Sequence, residues 1–272
     1  MVGIRKLLEG VVYEIIPMKN ALGKALDLPA GAFVSVTASP SKGMDATIEL
    51  SEQLAEHGYL VIPHLSARLT KTRADLKEHV RRLEAVGITR AFVVGGDGAQ
   101  QGEFFDAMDL IRALDDFGHP FGELGVTGYP EGHPFIPDSL LVQALLQKQP
   151  YASYMATQMC FDTDKIVDWV HARRASGVDL PVVIGIPGAI ETMKLMTVGV
   201  RIGVGTSLKF LSKNRRTISK LMKPGHFTPD DLLEGLVVLS DDPAMNIWGL
   251  HLFTFNQIES TLEWLQDVTT TS

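Results

Sequence analysis

The 272-residue sequence has almost no cysteine and no long apolar run. Its one cysteine, Cys160, excludes an internal disulfide and a zinc site built from cysteines. No segment reaches the roughly 18 to 20 consecutive apolar residues that a membrane-spanning helix needs. Glu9 and Glu14 interrupt the N-terminal apolar stretch that a signal peptide would require. These absences predict a cytoplasmic protein without a membrane partner.

Basic charge is also scarce. With 25 Lys and Arg against 32 Asp and Glu, the net charge is −7. Nucleic-acid binding depends on Lys and Arg that neutralise phosphates, so this balance predicts no nucleic-acid partner. The eight histidines are scattered, and the sequence has no His-x-x-x-His pair, no nucleophile elbow and no phosphate-binding P-loop. We therefore expect no metal site and neither serine-hydrolase nor P-loop chemistry.

What the sequence does contain is an alternation of short apolar runs with longer amphipathic segments. Eight runs are predicted as strands: 11–16, 32–37, 59–64, 90–95, 121–128, 151–158, 181–186 and 247–255. Six segments are predicted as helices: 45–58, 73–87, 103–118, 138–149, 163–177 and 228–240. Such alternation gives a parallel sheet with right-handed crossovers. Eight strands in a chain of this length favour a single (β/α)8 TIM barrel over residues 1–272.

Residues that typically begin and end helices support this assignment. Polar residues that can cap helix N-termini precede or open the predicted helices: Asp45, Thr72, Asp138 and either Thr163 or Asp164. Glycines stand where helices should end, at Gly58, Gly87, Gly118 and Gly177.

Polar residues interrupt or follow six consecutive predicted strands, where a barrel enzyme places its active site. They are Glu14, Thr37, His64, the glycine-rich turn 95–98, the segment 126–134 and Gln158. Each has a structural alternative: Glu14 could pair with a lysine such as Lys19, and a lone His64 is more often a packed core histidine. The glycines supply the positive φ of a tight turn by default. Their convergence on one barrel face is what predicts an active site.

Three of these side chains suggest the chemistry. A carboxyl such as Glu14, inside an apolar strand, is desolvated, which favours its protonated form and suits a general acid. An ionised Asp97 after two glycines could stabilise a cationic intermediate. Gln158 offers a donor and an acceptor for the amide-like edge of a heterocycle. The combination favours a nitrogen heterocycle over a phosphate ester or a peptide.

The motifs also match a known family along nearly the whole chain. They are Tyr13-Glu14-Ile15-Ile16-Pro17, Val36-Thr37, Pro63-His64-Leu65, Gly96-Asp97, the GYPEGHP segment 128–134 and TQMCFD at 157–162. In this order they resemble methylenetetrahydrofolate reductase, a flavin-dependent barrel. The GYPEGHP segment, followed some two dozen residues later by TQ-x-x-FD, is the most specific signal.

The resemblance implies a role for each residue. Glu14 would protonate 5,10-methylenetetrahydrofolate as its five-membered ring opens to an iminium, Asp97 would stabilise that cation, and Gln158 would bind the folate and the nicotinamide in turn. The FAD site would be lined by Thr37, His64, Gly96, Asp97, Tyr129 and His133. Hydride would pass from NAD(P)H to flavin and then to the one-carbon unit, giving 5-methyltetrahydrofolate, with the reverse oxidation equally open.

The chain departs from the family pattern mostly at positions where the family binds its flavin. Gly95 stands where an Arg usually precedes Gly-Asp. Leu140, Gln143 and Gln147 stand where the family places Asp, Asn and Lys on the helix after GHP, and Lys148 is one step out of register. The first strand and the residues after it read EIIPM (14–18), where the family usually has EFFPP. In the late segment FTFNQ (253–257), the basic residue that often follows Asn in the family is missing. Charged hydrogen bonds contribute most per contact, so we expect weakened FAD binding.

Several alternatives stay open at this point. Retained FAD is our expectation, and the alternative is a flavin-free variant that passes hydride directly from NAD(P)H to the folate. Other readings are a folate-dependent methyl-transfer or demethylation barrel without redox work, and a binding protein without catalysis. The basic stretch 209–220 either grips a folate polyglutamate tail or forms a solvated face, and a homo-oligomer is neither predicted nor excluded.

Overall fold

A computed structural model describes residues 2–96, 98–195 and 226–271. Its centre is a closed barrel of eight strands, in the order β1-β10-β7-β6-β5-β4-β3-β2, in which every neighbouring pair is parallel. The barrel strands are β1 Val12–Ile15, β2 Phe33–Val36, β3 Leu60–Ser66, β4 Arg90–Val94, β5 Glu123–Gly128, β6 Tyr154–Thr157, β7 Val182–Pro187 and β10 Ile247–Phe253. The predicted (β/α)8 barrel and all eight predicted strands are confirmed.

The remaining elements surround the barrel. A short antiparallel pair, β8 Ile190–Glu191 and β9 His226–Phe227, lies between β7 and β10 in the chain. The helices are α1 Val2–Leu8, α2 Ala21–Ala25, α3 Gly43–Glu56, α4 Arg73–Ala85, α5 Ala107–Phe117, α6 Asp138–Lys148, α7 Thr163–Ala175, α8 Asp230–Asp241 and α9 Ile258–Thr271. Within the described ranges, none of these helices combines the length and the apolar character needed to cross a membrane.

The six predicted helices are confirmed as α3 to α8, and three of the α-helices given above, α1, α2 and α9, were not predicted. Helices α1 and α2 have seven and five residues, too few for a clear stripe with helical spacing. Helix α9 ends in a run of threonines, whose branched side chains lower helix propensity. Tertiary packing of α9 through Ile258 and Trp264, both buried, outweighs that local preference.

Helix ends are set partly by the predicted residues. Thr72 caps α4 with a complete capping box, in which its side chain accepts from the Asp75 amide. The predicted glycines Gly58, Gly87, Gly118 and Gly177 all have positive φ, between 69° and 85°. These predictions are confirmed, since a residue without a side chain is the easiest to place in that conformation.

Three predicted N-caps are wrong. Helix α3 is preceded by Lys42, and Asp45 lies inside its first turn. Asp138 is the first residue of α6, after Pro137. In α7 the cap is Asp162, whose carboxylate accepts a hydrogen bond from the Lys165 amide at 3.2 Å. In each case the chain enters the helix earlier than the polar residue alone suggested.

The barrel interior is filled by an apolar layer that is separate from the larger core between strands and helices. Its buried members are Val12, Ile62, Phe92, Tyr154, Ala156 and Val183. Side chains two residues apart in a strand point to the same face. Glu14 and His64 follow Val12 and Ile62 by two residues, so they occupy the next interior layer toward the carboxyl ends of the strands.

Gly185 on β7 lets neighbouring strands approach closely. A Cβ at this position would lie 2.2 Å from the carbonyl oxygen of Thr157 and 2.7 Å from Cε2 of Phe253. Because the first of these atoms is backbone, Gly185→Ala should force β6 and β7 apart. We expect the free energy of unfolding, measured by urea titration, to fall by about 1–3 kcal/mol.

Gly122 provides the matched control for this prediction. A Cβ added at Gly122 would have no other atom within 4 Å, and the φ of this glycine is not positive. Gly122→Ala should therefore leave the free energy of unfolding unchanged or raise it by up to about 1 kcal/mol. Equal effects of the two substitutions would show that strand approach at Gly185 is not constrained.

Candidate active site

Glu14 lies on β1 with its side chain buried in the barrel, 8% exposed as a residue. Its Oε2 atom is 3.0 Å from Nε2 of His251, which is on the adjacent strand β10. No hydrogen bond reaches Glu14 Oε1 from the residues that the structure describes. The alternative in which Glu14 pairs with a lysine such as Lys19 is not what is observed, because its partner is a histidine.

His64 lies on β3 in the same interior layer. Its Nε2 is 2.7 Å from the hydroxyl of Ser35 on β2, and its ring packs 4.8 Å from that of Phe92. Burial, and to a smaller extent electrostatic repulsion from the neighbouring His251 ring, lower the pKa of His64 from 6.5 to about 3. A neutral imidazole at this position is consequently the stable form near neutral pH.

Donor atoms of Glu14, His64 and His251 all lie within 4.8 Å of one another. A carboxylate and two imidazoles are a donor set that a transition metal could use. In this arrangement, however, the facing nitrogen of each imidazole already has a hydrogen-bond partner, Ser35 or Glu14. The three side chains therefore form a hydrogen-bonded polar cluster.

The backbone beneath Glu14 is fixed by the segment that follows β10. The Thr254 hydroxyl donates to the carbonyl oxygen of Glu14. Asn256 binds both backbone groups of Ile16, accepting from its amide at 2.8 Å and donating to its carbonyl at 2.9 Å. Asn256 has a φ of 59°, a left-handed conformation that Asn tolerates better than most residues. These contacts join the ends of β1 and β10 and hold Glu14 in place.

Gln158 follows β6 and continues the two-residue spacing of the interior residues Tyr154 and Ala156. Its side-chain oxygen accepts a hydrogen bond from the amide of Met159 at 3.0 Å, and it is half-buried. Its Nε2 has no hydrogen bond in the described part of the chain. The carboxamide is therefore oriented by its own backbone and has a donor left for a ligand.

Thr37 and Gly96 lie at the ends of β2 and β4. The Thr37 amide donates to the carbonyl of Ile15 at 3.0 Å, which places this residue beside the end of β1. Gly96 has a φ of 94°, and a Cβ there would lie 2.4 Å from the Ser66 hydroxyl. That hydroxyl is fully buried and has no partner among the described residues. Asp97, the predicted cation-stabilising residue, lies outside the described residues.

Tyr129 and His133 share the GYPEGHP loop after β5. Their rings pack edge to face with centroids 5.4 Å apart, and His133 Nδ1 accepts from the Phe135 amide at 3.2 Å. Lys165 in the first turn of α7 donates to Glu131 at 3.0 Å and ties the loop to that helix. The structure thus brings the predicted residues together in two sets, one within the barrel and one on this loop.

Sequence reasoning missed His251, Ser35 and the Thr254–Asn256 segment. His251 lies in a strand that is otherwise apolar, the same signal that pointed to Glu14. Its pairing with Glu14 could not be read from the sequence, because the two residues are 237 positions apart.

The sequence that carries these residues is similar to sequences of known proteins. A family profile described as methylenetetrahydrofolate reductase matches residues 18–204, more than half of the chain. The chain belongs to the methylenetetrahydrofolate reductase family. Thr37, His64, Tyr129, His133 and Gln158 fall within the matched range, whereas Glu14 and His251 flank it.

Curated relatives carry the same family name. Methylenetetrahydrofolate reductase 2 of Saccharomyces cerevisiae is 37% identical over 91 residues, covering 32% of this chain and 15% of the relative. A Caenorhabditis elegans protein named "Probable methylenetetrahydrofolate reductase (NADPH)" is 26% identical over 223 residues, covering 72% of this chain and 30% of the relative. The chain therefore spans less than a third of the length of either relative.

Among solved structures, a Clostridium thermocellum protein described as binding two copies of 5-methyl-5,6,7,8-tetrahydrofolic acid has a TM-score of 0.66. It is 13% identical, and the match covers 98% of this chain and 99% of that one. At this identity the likeness supports the fold alone.

The residues for flavin divide into two groups. Those predicted for the ring end, Thr37, Gly96, Tyr129 and His133, lie at strand ends or on the β5 loop. At the three α6 positions where the family resemblance places partners of the ribose, adenine and phosphates, the side chains are Leu140, Gln143 and Gln147, all exposed. Lys148 lies on the buried face of that helix. These α6 side chains do not fit the diphosphate end of FAD.

Proposed function

We propose that the protein is an oxidoreductase that interconverts 5,10-methylenetetrahydrofolate and 5-methyltetrahydrofolate, with NAD(P)H as the hydride source. The observation that carries this proposal is the buried Glu14 carboxyl, held at Oε2 by His251 and unbonded at Oε1 within the described residues. Membership of the methylenetetrahydrofolate reductase family and the names of the relatives support the substrate. The folate ligand reported for the Clostridium thermocellum structure agrees with it.

The proposed reaction needs one proton and one hydride. Glu14 donates a proton to a nitrogen of the five-membered ring, whose carbon–nitrogen bond breaks and leaves an iminium. Hydride then adds to the one-carbon unit and gives the methyl group. Gln158 Nε2 is proposed to bind the pterin edge, and Asp97 to stabilise the cation. Glu14 regains its proton from solvent before the next turnover.

Two routes for the hydride follow from the resemblance. FAD, bound through Thr37, His64, Gly96, Asp97, Tyr129 and His133, would carry it between the nicotinamide and the folate in turn. Alternatively, NAD(P)H transfers it directly. The exposed α6 side chains Leu140, Gln143 and Gln147 favour direct transfer, because they offer the phosphates of FAD no charged hydrogen-bond donor.

A visible spectrum of the purified protein, taken before and after incubation with FAD, tests the route. We expect no bound flavin after gel filtration, and a rate of NAD(P)H oxidation that added FAD does not change. A flavin that co-purifies, and whose removal abolishes turnover, would instead establish the FAD route.

The proposed reaction itself is tested by following NADH or NADPH oxidation with and without 5,10-methylenetetrahydrofolate. We expect oxidation that depends on the folate and yields 5-methyltetrahydrofolate in equal amount. Folate binding without turnover, with and without FAD, would favour the second candidate, a methyl-transfer or binding barrel. The observation that favours this second candidate is the Clostridium thermocellum structure, whose description names a bound folate and no reaction.

A further inference from the structure

The two carboxylate oxygens of Glu14 differ in their hydrogen bonding. Oε2 lies 3.0 Å from Nε2 of His251, and both side chains are at least nine-tenths buried. Oε1 has no hydrogen bond within the described ranges. An acid that must release its proton to a ligand needs that proton on the oxygen that is not already engaged.

The tautomer of His251 decides where that proton sits. If Nε2–H donates to Oε2, a protonated Glu14 carries its proton on Oε1, where a ligand can take it. If Nε2 accepts instead, the proton is held between the two side chains. Nδ1 of His251 has no hydrogen bond within the described residues, so among them the only acceptor for a proton on this ring is Oε2 of Glu14, which faces Nε2.

The second histidine does not compete for this contact. His64 directs Nε2 at the Ser35 hydroxyl, and its ring lies 6.4 Å from that of His251. With its pKa lowered to about 3 by burial and by His251, His64 stays neutral. The described titratable groups that face Glu14 are thus His251 from β10 and His64 from β3.

We propose that His251 is a positioning residue for Glu14: its Nε2–H holds Oε2, keeps the transferable proton on Oε1, and stabilises the carboxylate left after transfer. The proposal rests on the proposed function, in which Glu14 is the proton donor. A hydrogen bond to the ionised carboxylate is stronger than one to the neutral acid, so the contact helps the transfer. The arrangement follows the general logic of a catalytic group oriented by a second side chain.

Kinetics of two variants test the positioning role. His251→Gln can keep an N–H donor near the position of Nε2, whereas His251→Leu removes it. For His251→Leu we expect kcat for folate reduction to fall by about 100-fold, near the lower end of what general acid catalysis contributes. His251→Gln should retain kcat within about tenfold of wild type, and 5-methyltetrahydrofolate should bind all forms equally.

His171→Leu is the matched control, because His171 is an exposed histidine on α7. It should leave kcat unchanged. Wild-type kcat in His251→Leu would overturn the positioning role, as would equal losses in His251→Gln and His251→Leu when both melt at the wild-type temperature.

Nitrogen-15 NMR of the histidine rings tests the proton placement without any turnover. The His251 signals are assigned by their loss in His251→Gln, and we expect the proton on Nε2 with Nδ1 unprotonated. Glu14→Leu should shift the Nε2 signal by removing its acceptor. A proton found on Nδ1 would overturn the proposal even in an active enzyme. An inactive wild type with the proton on Nε2 would instead overturn the proposed function alone.

Discussion

Replacing Glu14 with glutamine is expected to lower the rate of folate reduction by about 10²- to 10⁴-fold, the usual contribution of a general acid. Glutamine has nearly the same shape, and its amide oxygen can still accept the hydrogen bond from His251. It has no acidic proton to give to the folate nitrogen. The loss should therefore appear in kcat, measured as NAD(P)H oxidation at saturating folate.

Binding measurements separate this loss from a loss of structure. Glu14→Gln should bind NAD(P)H and 5-methyltetrahydrofolate as the wild type does and should unfold at the same urea concentration. Glu56→Gln, a change at an exposed glutamate at the end of α3, is the matched control and should keep full activity. Unchanged folate turnover in Glu14→Gln would refute its role as the acid.

Acid should destabilise this protein through His64, in addition to any general effect of low pH. The folded protein keeps the imidazole neutral down to about pH 3, whereas the unfolded chain protonates it near pH 6.5. The contribution of His64 to stability is therefore complete above pH 6.5 and is lost as the pH falls toward 3. In that window its contribution to the free energy of unfolding should decrease by up to about 1.4 kcal/mol per pH unit.

Urea unfolding at a series of pH values measures this slope. His64→Gln removes the titrating group and keeps a side chain that can bond to Ser35. We expect a flatter pH dependence for this variant, even if it is less stable at neutral pH. His171→Gln, on an exposed helix face, should reproduce the wild-type slope. An unchanged slope in His64→Gln would mean that the imidazole is not held neutral in the folded state.

Much of the fold could be predicted because it depends on local patterns. The strand runs and amphipathic helices repeat with the spacing of their elements, and the glycine ends of helices require a backbone conformation that few residues adopt. The wrong N-caps show the limit of this reasoning. At α7 both Thr163 and Asp164 were plausible caps, yet Asp162 takes the position because its carboxylate meets the free amide of Lys165.

The candidate site could be predicted as a set of residues but not as a set of contacts. Glu14, His64 and Gln158 were recognised from polar residues at strand ends and from the family motifs. His251 was not, since its partner lies at the opposite end of the chain. For Lys148, the sequence showed only that it lies one position away from the family's lysine. The structure shows that its side chain is on the buried face of α6 and not on the exposed one.

By itself the sequence determined the barrel, the family and the identity of the proposed acid, because periodicity and motifs are properties of neighbouring residues. Only the tertiary structure decided which oxygen of Glu14 is engaged and by which side chain. Closing the barrel pairs β1 with β10 and places His251 at 3.0 Å from Glu14. Closure joins the first strand to the last, and a contact of that kind leaves no trace in local sequence.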